Sequence, residues 1–386
     1  MFSISKTGTL RFRIKLHYDD RDTLVYIKNL LSKLAKREIG VIVDSKNKHE
    51  SYFSVDRFKD IVGVIIPIFS LYHFTTFKYL DFQDFKAAAS IKMASFCERR
   101  KLRDTELKDM LAIKSGMNTL RKIFDTHNLP KRTLTPYRLL GFVEGDGSFC
   151  LPSMVPTFGI AQHSKNIHFF YEIAEFLSNL PYNPAIGPEL DVLNTKPRPR
   201  VEARHNNMMA YLTVNNILQL YNYILPFFKS LEFKSRKAVD FQLWEAAVKL
   251  RALGYTTLPE GKEYFIAISK YINKRYSTNL EVAKTPEMVE ILKLFNRPPV
   301  YNLASGLSYR AYSDINRKAK GLTGYSVNVY DNGKLVEGSP FPSYTQAALA
   351  LGNIKISSAI SKKINTDKLY KQRFKFESTV NSDTTN

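Results

Sequence analysis

The chain repeats itself, and this duplication constrains its possible folds more than any other feature of the sequence. A shift of 159 residues aligns 65–83 (IIPIFSLYHFTTFKYLDFQ) with 224–242 (ILPFFKSLEFKSRKAVDFQ), with eight of 19 positions identical. A shift of 146 residues aligns 10–34 with 156–180, with seven identical positions. One longer loop in the second copy, within the proline-rich stretch 181–200, accounts for the difference between the two shifts.

Both copies have the same predicted order of elements. An alternating strand (LRFRIKL, TFGIAQ) precedes a helix (LVYIKNLLSKL, FFYEIAEFLSNL), a strand pair (ESYFSV, MAYLTV) and a helix that ends near the shared proline. A last helix (FKYLDFQDFKAAASIKM, RKAVDFQLWEAAVKLRAL) has apolar residues at i, i+3, i+4 and i+7. The pattern predicts an α+β fold with tandem units over 1–98 and 133–254, joined by a basic helical connector over 99–132.

The charge balance indicates a polyanionic partner. Lys and Arg number 57 against 36 Asp and Glu, which gives a formal net charge of +21. Nucleic acid is the commonest partner for such an excess. Two cysteines are too few for a disulfide framework or a zinc site, and we expect a reducing compartment. The longest apolar run, 61–72, is shorter than the roughly 20 residues that a bilayer requires, so we expect no membrane partner.

The most informative local segment is 135–149, TPYRLLGFVEGDGSF. Thr135 can cap a helix, and Pro136 suits the first helical position. Gly141 and Gly145 lie one turn apart on the same face. Because each costs about 1 kcal/mol relative to alanine within a helix, a compensating interaction is expected. Close approach of a second helix backbone would supply it.

Two acidic residues, Glu144 and Asp146, fall at the C-terminal end of this predicted helix. The helix dipole disfavours anions there. A carboxylate held at such a position without an evident cation is a metal-ligand candidate. The alternative is an ordinary helix whose acids are solvated and whose glycines only end it.

At these residues the chain resembles the LAGLIDADG homing endonucleases and intron maturases. The segment 139–147, LLGFVEGDG, matches the family motif position by position, with the acid at Asp146 and the close-packing glycines at Gly141 and Gly145. The resemblance implies two four-stranded sheets that form a saddle in the DNA major groove. It also implies two motif helices that pack together and present their acids to Mg²⁺, with Asp146 and the neighbouring Gly145 as metal ligands.

Phosphodiester hydrolysis also benefits from cations near the phosphoryl oxygens. The candidate catalytic lysines are Lys78, Lys234 and Lys237, which lie just before the last helix of each copy. Thr75 takes the place of Lys234 in the first copy, so the two copies differ there. For each lysine, phosphate contact or a solvated helix start is the alternative role.

The first copy departs from the family pattern. With the 146-residue shift, Gly147 aligns with Met1, so the first motif helix is expected to be missing from this chain. Upstream residues of a longer product, a second protein subunit or a homodimer could supply it. A degenerate copy that binds without cleaving is the other possibility.

The C-terminal part of the chain reads as an appended module. A linker over 255–324 precedes 325–378, which resembles the nuclease-associated modular DNA-binding domain (NUMOD type). A turn at 331–333, a helix through 347–351 that Gly352 stops, and a short helix at 357–364 form a pattern typical of a helix-turn-helix. The expected DNA-binding residues are Ser343, Thr345, Gln346, Ser357, Ser358, Lys362 and Lys363. Residues 379–386 are expected to form a disordered tail.

Together these features predict a site-specific double-strand DNA endonuclease of the homing type. The alternatives are an intron maturase that binds RNA and aids splicing, and a degenerate protein that binds DNA without cleaving it. The fungal members of the family and a Tyr- and Phe-rich, Trp-poor composition, typical of AT-biased genes, favour a mitochondrial location.

Overall fold

The computed structural model describes residues 1–45, 49–124, 129–130, 133–182, 196–204, 206, 208–273, 286–300, 326–341, 344–352 and 356–379. These residues belong to two compact units, Met1–Ser305 and Gly306–Asn386. No helix in the described ranges is long and apolar enough to cross a membrane.

The first copy of the repeat begins with a sheet and one helix. Its elements are strand β1 (Phe2–Ile4), strand β2 (Leu10–His17), helix α1 (Arg21–Ala35), strand β3 (Val41–Ser45) and strand β4 (Glu50–Val55). The antiparallel sheet has the order β1-β2-β4-β3. Alternation along the strands buries one face, including Phe12 and Phe53, and leaves the other face polar.

Two helices complete the first copy, and a third lies in the connector that follows. Helix α2 consists of the segments Phe58–Asp60, Ile61–Ile65 and Ile66–Leu71, and is followed by α3 (Lys78–Cys97) and α4 (Asp104–Ser115).

The second copy contains the motif helix and then the same elements. They are α5 (Pro136–Asp146), β5 (Gly147–Cys150), β6 (Thr157–His163), α6 (Ile167–Ser178), β7 (Arg200–Arg204), β8 (Met209–Val214), α7 (Ile217–Gln219, Leu220–Ile224 and Leu225–Lys229), α8 (Lys237–Ala252), α9 (Pro259–Tyr271) and α10 (Met288–Phe295). The sheet order is β5-β6-β8-β7. The prediction of two tandem α+β units is confirmed.

The duplication extends to the aromatic cores. Phe2 packs against five rings, and Phe149 packs against the five rings at the corresponding positions of the second copy. The corresponding pairs are Phe12 and Phe158, Phe69 and Phe228, Phe74 and Phe233, Phe82 and Phe241, and Phe85 and Trp244. Strand register therefore makes Phe2 equivalent to Phe149 and Met1 equivalent to Ser148. The expected match of Met1 to Gly147 is one residue off, because the turn between the first two strands is one residue longer in the first copy than in the second.

The sequence predicted a helix that ends near the shared proline, and the structure places the end about one turn after it. In both copies α2 and α7 continue past Pro67 and Pro226 for a further turn. A π-helical segment precedes each proline. Proline lacks the N–H that an α-helix would require, and the wider turn adapts the hydrogen-bond ladder to that loss.

Residues that follow α3 and α8 also pack into the cores of the two copies. In the connector, predicted to be helical over 99–132, helix α4 covers Asp104–Ser115. Met110 and Met117 are buried in the first core, and Phe265 and Ile291 are buried in the second.

The C-terminal unit has a three-stranded sheet and two short helices. Strands β9 (Ser326–Asp331) and β10 (Lys334–Leu335) precede helices α11 (Tyr344–Ala350) and α12 (Ser357–Lys363), and strand β11 (Phe374–Thr379) completes the sheet in the order β10-β9-β11. Positive φ angles at Asn332 and Gly333 fit the predicted hairpin turn, and Gly352 ends α11 with a φ of 78°. Strand β11 was not predicted. It includes Thr379, the first residue of the expected tail; residues 380–386 lie outside the described ranges.

Candidate active site

The motif helix α5 begins and ends as its sequence predicts. The hydroxyl of Thr135 accepts a hydrogen bond from the backbone N–H of Arg138 (3.3 Å), and Pro136 starts the helix. The buried side chains Leu139 and Val143 hold the helix against the second core. The opposite face, where the motif glycines lie, is therefore left outward.

The two motif glycines face open space among the described residues. A Cβ added at Gly141 or Gly145 would meet no other heavy atom within 4 Å. The second helix that the sequence predicts at this face is therefore not among the described parts of the chain. Close packing requires glycine instead at Gly147, where a Cβ would lie 2.6 Å from the side chain and 2.8 Å from the carbonyl oxygen of Val143.

A groove of about 630 Å³ runs beside this glycine face. Residues 72–76 of the first copy and residues of α5, including Gly141, line it. Arg138 crosses between the two and donates a hydrogen bond to the carbonyl oxygen of His73 (3.2 Å). The groove is thus bounded by both copies.

The motif acid Asp146 lies at the last position of α5 and accepts a hydrogen bond from a glutamine. The amide nitrogen of Gln162, on β6, donates to Asp146 Oδ2 (2.7 Å). Asn166 donates to the amide oxygen of Gln162 (2.6 Å) and accepts from the backbone N–H of Phe77 (3.1 Å). Gln162 and Asn166 were missed by the sequence analysis. Their signal was that they replace Leu16 and Asp20 of the first copy, and that Gln162 directly precedes the matched residue His163.

The environment of Asp146 disfavours its charge. Removal from water by neighbouring protein atoms raises the pKa of the Asp146 carboxyl, and this effect outweighs the opposing effects of the Gln162 hydrogen bond and the positive charge of Lys237. Asp146 is nevertheless exposed when all its atoms are considered, because the glycine face of α5 is open. A bound cation at that open side would stabilise the ionised carboxylate.

Of the three predicted lysines, Lys237 lies at this acid. Its ammonium group donates to the carbonyl oxygen of Gly147, the residue after Asp146. Lys78 is its counterpart in the first copy and donates to Asp81 (2.9 Å) and Asn118 (3.2 Å).

Lys234 points elsewhere. Its ammonium group pairs with Glu232 and lies 5.2 Å from the ring centroid of Tyr26 on α1. Its backbone N–H donates to Glu144 of the motif helix. The structure thus connects Lys234 to Glu144 through the main chain, and does not bring its side chain to Asp146 by any contact among the described residues.

A duplicated asparagine supports each lysine helix. Asn118 and Asn273 each adopt a positive φ, 55° and 58°. Each donates from its side chain to the carbonyl oxygen of the first-strand phenylalanine, Phe2 or Phe149. Each backbone N–H donates to the aspartate of the helix, Asp81 or Asp240. Sequence comparison missed this pair because the spacing differs between the copies.

The outer faces of the two sheets carry arginines over tyrosines. Arg13 lies 4.4 Å from the ring centroid of Tyr52, and Arg204 lies 4.4 Å from that of Tyr211. The two tyrosines are separated by the 159-residue shift, so the repeat preserves them. Such flat cationic groups are suited to phosphate and base contacts.

The predicted DNA-binding residues of the C-terminal unit are described in part. Ser343 lies outside the described residues, Thr345 and Gln346 lie on α11, and Ser357, Ser358, Lys362 and Lys363 lie on α12. Gln346 and Lys362 are exposed, whereas Lys363 donates to the carbonyl oxygen of Leu369 (2.6 Å).

Comparison with known proteins identifies the family. Residues 2–89 and 139–248, just over half of the chain, match the LAGLIDADG endonuclease family. The protein belongs to this family. The matched ranges contain both sheets, the motif helix from Leu139 and the N-terminal parts of helices α3 and α8.

Two curated relatives match at low identity. An uncharacterized mitochondrial protein, RF1, of Saccharomyces cerevisiae is 26% identical over 318 residues, which are 79% of this chain and 62% of that protein. The probable intron-encoded endonuclease 2 of Neurospora crassa is 24% identical over 269 residues, 62% of this chain and 53% of that protein. The chain therefore spans about three fifths and about half of these relatives.

A solved structure has the same fold. The meganuclease I-SmaMI, bound to uncleaveable DNA, aligns with a TM-score of 0.56 and 21% identity, over 71% of this chain and 93% of that one. The prediction of a LAGLIDADG fold with two sheets is confirmed.

Proposed function

We propose that this protein is a site-specific endonuclease of the homing type that hydrolyses phosphodiester bonds in double-stranded DNA with Mg²⁺. One observation carries the proposal: the motif acid Asp146 stands at an open helix face and accepts a hydrogen bond from Gln162, while Lys237 donates to the carbonyl oxygen of the next residue, Gly147. Family membership and the net charge of +21 support it.

The residues present fit a divalent cation. Mg²⁺ prefers oxygen ligands, and it is usually held by one or two carboxylates together with substrate phosphates and waters. Asp146 offers a carboxylate whose raised pKa reflects loss of water. Gly145 lies in the last turn of α5, where helix carbonyl groups lack intrahelical partners. When bound, the metal would activate water and stabilise charge on the phosphoryl oxygens.

The chain's own residues supply positioning and charge. Gln162 fixes one carboxylate oxygen of Asp146 and leaves the other free to act as a ligand. Asn166 fixes Gln162 in turn, so this arrangement is set before substrate binds. Lys237 adds positive charge beside Gly147, where a scissile phosphate would carry its developing negative charge.

The exposed glycine face favours a second helix as a partner. Small residues one turn apart permit close backbone contact, and Gly141 and Gly145 meet nothing within 4 Å. Upstream residues of a longer product, or a second subunit, would supply this helix and a second acid. We favour upstream residues over a homodimer, because residues 72–76 of the first copy border the groove beside α5 and would limit the space for a second chain.

A non-cleaving role is the second candidate, either as a DNA-binding protein or as a maturase that binds intron RNA. One observation favours it: nothing packs within 4 Å of a Cβ added at Gly141 or Gly145, so the described residues include no second motif helix on this face. Tight binding to one intron RNA without DNA cleavage would establish this role.

Three further features belong to the proposal. The exposed face of α11 and α12 in the C-terminal unit would contact DNA as a NUMOD-type module. The domain boundaries are those given by the sequence, with 1–98 and 133–254 as the repeats and 325–378 as the appended module. The protein would act in mitochondria, as the location named for the yeast relative suggests.

The test is cleavage of a DNA library. Purified protein with Mg²⁺ is incubated with fragmented DNA of its own genome, and new ends are mapped by sequencing, with a chelator as the control. We expect paired ends at one long site. If the protein neither cuts nor nicks any sequence and binds one intron RNA tightly, the endonuclease proposal is overturned in favour of the maturase.

A further inference from the structure

The outer face of the first sheet has an apolar edge. On the edge strand β3, Val41 and Val43 are 58% and 39% exposed, whereas Ile42 between them packs against the first core. Strand β3 forms the edge opposite β1, with β2 and β4 between them, so this surface lies two strands away from Met1. Exposed apolar side chains on an edge strand promote unwanted association. A binding partner for these two valines would offset that disadvantage.

The second sheet carries charged residues at the positions equivalent to these valines. Strand register places Arg200 of β7 at the position of Val41. Glu202 takes the position of Val43 in the same way. Its carboxylate pairs with Arg200 (2.9 Å) and with Arg204 (3.2 Å). Because the same fold accommodates Arg and Glu there, the need to form a strand does not account for the valines.

The valines adjoin residues that are suited to the DNA major groove. Tyr52 is the cross-strand neighbour of Val43, and Arg13 lies 4.4 Å from the centroid of its ring. Lys15, the neighbour of Tyr52 on β2, pairs with Glu50 (2.7 Å). The outer face thus changes from cationic on β2 to apolar on β3. Cations suit phosphates and guanine, whereas apolar side chains suit the C5-methyl group that thymine presents in the major groove.

We propose that Val41 and Val43 contact the C5-methyl groups of thymines in the half of the target that the first copy binds. The proposal rests on the proposed function and adds a base preference to it. In the second copy, Arg200 and Glu202 would hydrogen-bond to base edges instead, since Arg suits guanine and Glu suits the amino group of cytosine. The two halves of the target would therefore differ, with recognition of thymine methyl groups in one half alone.

Removal of single methyl groups from the DNA tests this recognition. Wild-type protein first selects its binding site from a randomised duplex library, and the half in which Arg200→Gln leaves the selected bases unchanged is the half bound by the first copy. Deoxyuridine in place of thymidine then removes the C5-methyl group alone. We expect each selected thymine replaced in this half to weaken binding about fourfold, as for the loss of one buried methyl group, with no effect in the other half. Equal affinities for thymine and deoxyuridine duplexes would overturn the proposal.

A double variant, Val41→Ser with Val43→Ser, assigns the effect to these residues. Both side chains are exposed, so the fold should persist, and circular dichroism checks it. We expect this variant to bind thymine and deoxyuridine duplexes equally, whereas Val289→Ser, at an exposed valine of α10, should keep the fourfold difference. A folded double variant that keeps the difference would overturn the proposal.

The wild-type comparison needs no variant, so it tests the proposal even if the double variant does not fold. It also separates the two levels of the argument. Wild-type protein that binds a selected duplex but ignores the methyl groups would refute the thymine contact and leave the proposed function standing. Wild-type protein that binds no duplex would refute the proposed function itself.

Discussion

Asn166 accepts a hydrogen bond from the backbone N–H of Phe77 (3.1 Å), and Asp20, at the equivalent place in the first copy, accepts one from the backbone N–H of Arg236 (3.2 Å). Each copy therefore caps the loop before the last helix of the other copy. A second reciprocal pair supports the first: Thr23 donates to the carbonyl oxygen of Lys234 (3.0 Å), and the ring of His168 donates to that of Thr75 (3.1 Å). These contacts fix the two copies relative to one another.

The reciprocal caps lead to a prediction about stability. Asn166→Leu leaves the buried N–H of Phe77 without an acceptor and releases Gln162, so we expect a loss of about 1–3 kcal/mol in the free energy of unfolding. Asp20→Asn keeps an acceptor oxygen at the equivalent place and should cost much less. Urea unfolding of both variants measures the difference. Equal losses would show that the side-chain acceptor at position 166 is not what joins the copies.

Substitution of Gly147 and of Gly141 by alanine should change the stability of the protein in opposite directions. Gly147→Ala places a Cβ against the backbone of Val143 and should destabilise the protein. Gly141→Ala adds a Cβ in open space within a helix and should stabilise the isolated chain by up to about 1 kcal/mol. Thermal unfolding of the two variants provides the test. Destabilisation by Gly141→Ala would mean that another segment packs on this face in the purified protein.

The variant Gly145→Leu tests whether a partner helix packs on the glycine face of α5. Because a Cβ at this position meets nothing within 4 Å, the variant should fold normally as an isolated chain. A large side chain would keep a second helix away, so DNA cleavage should fall at least tenfold in any assembly that has one. Light scattering and intact mass would identify the active species. An active 44.4 kDa monomer would refute the argument for a second motif helix, and full activity of Gly145→Leu would place that helix elsewhere.

The raised pKa of Asp146 predicts a pH dependence of stability. The folded state retains this proton at higher pH than the unfolded state, so above the ordinary value of 3.8 ionisation of Asp146 opposes folding. The wild-type protein should thus lose stability relative to Asp146→Asn as pH rises from about 4 through the raised pKa. Chemical unfolding of both proteins between pH 4 and pH 7 measures the gap between their free energies of unfolding. A constant gap across this range would mean that the carboxyl titrates normally.

The repeat made most of the fold predictable, whereas much of the site was not. Matched apolar positions such as Phe82 and Phe241 occupy the same place in two similar cores, so periodicity was sufficient for the helices and strands. The exact end of the helix at Pro67 could not be predicted, because it depends on the π-helical turn formed by the residues before the proline. Gln162 and Asn166 were missed because they act through side-chain hydrogen bonds to distant residues, and neither spacing nor composition reveals such partners.

The most direct test of the central claim compares wild-type protein and Asp146→Asn on one duplex that contains the mapped target. Asparagine keeps the shape and the oxygen that accepts from Gln162, and it removes the charge that would hold Mg²⁺. We expect single-turnover cleavage to fall by at least a factor of about 100 (about 2.7 kcal/mol), with the Kd for the duplex changed less than threefold. Cleavage at the wild-type rate would contradict the claim that Asp146 holds the metal, and an equal loss of binding and cleavage would show that its role is structural.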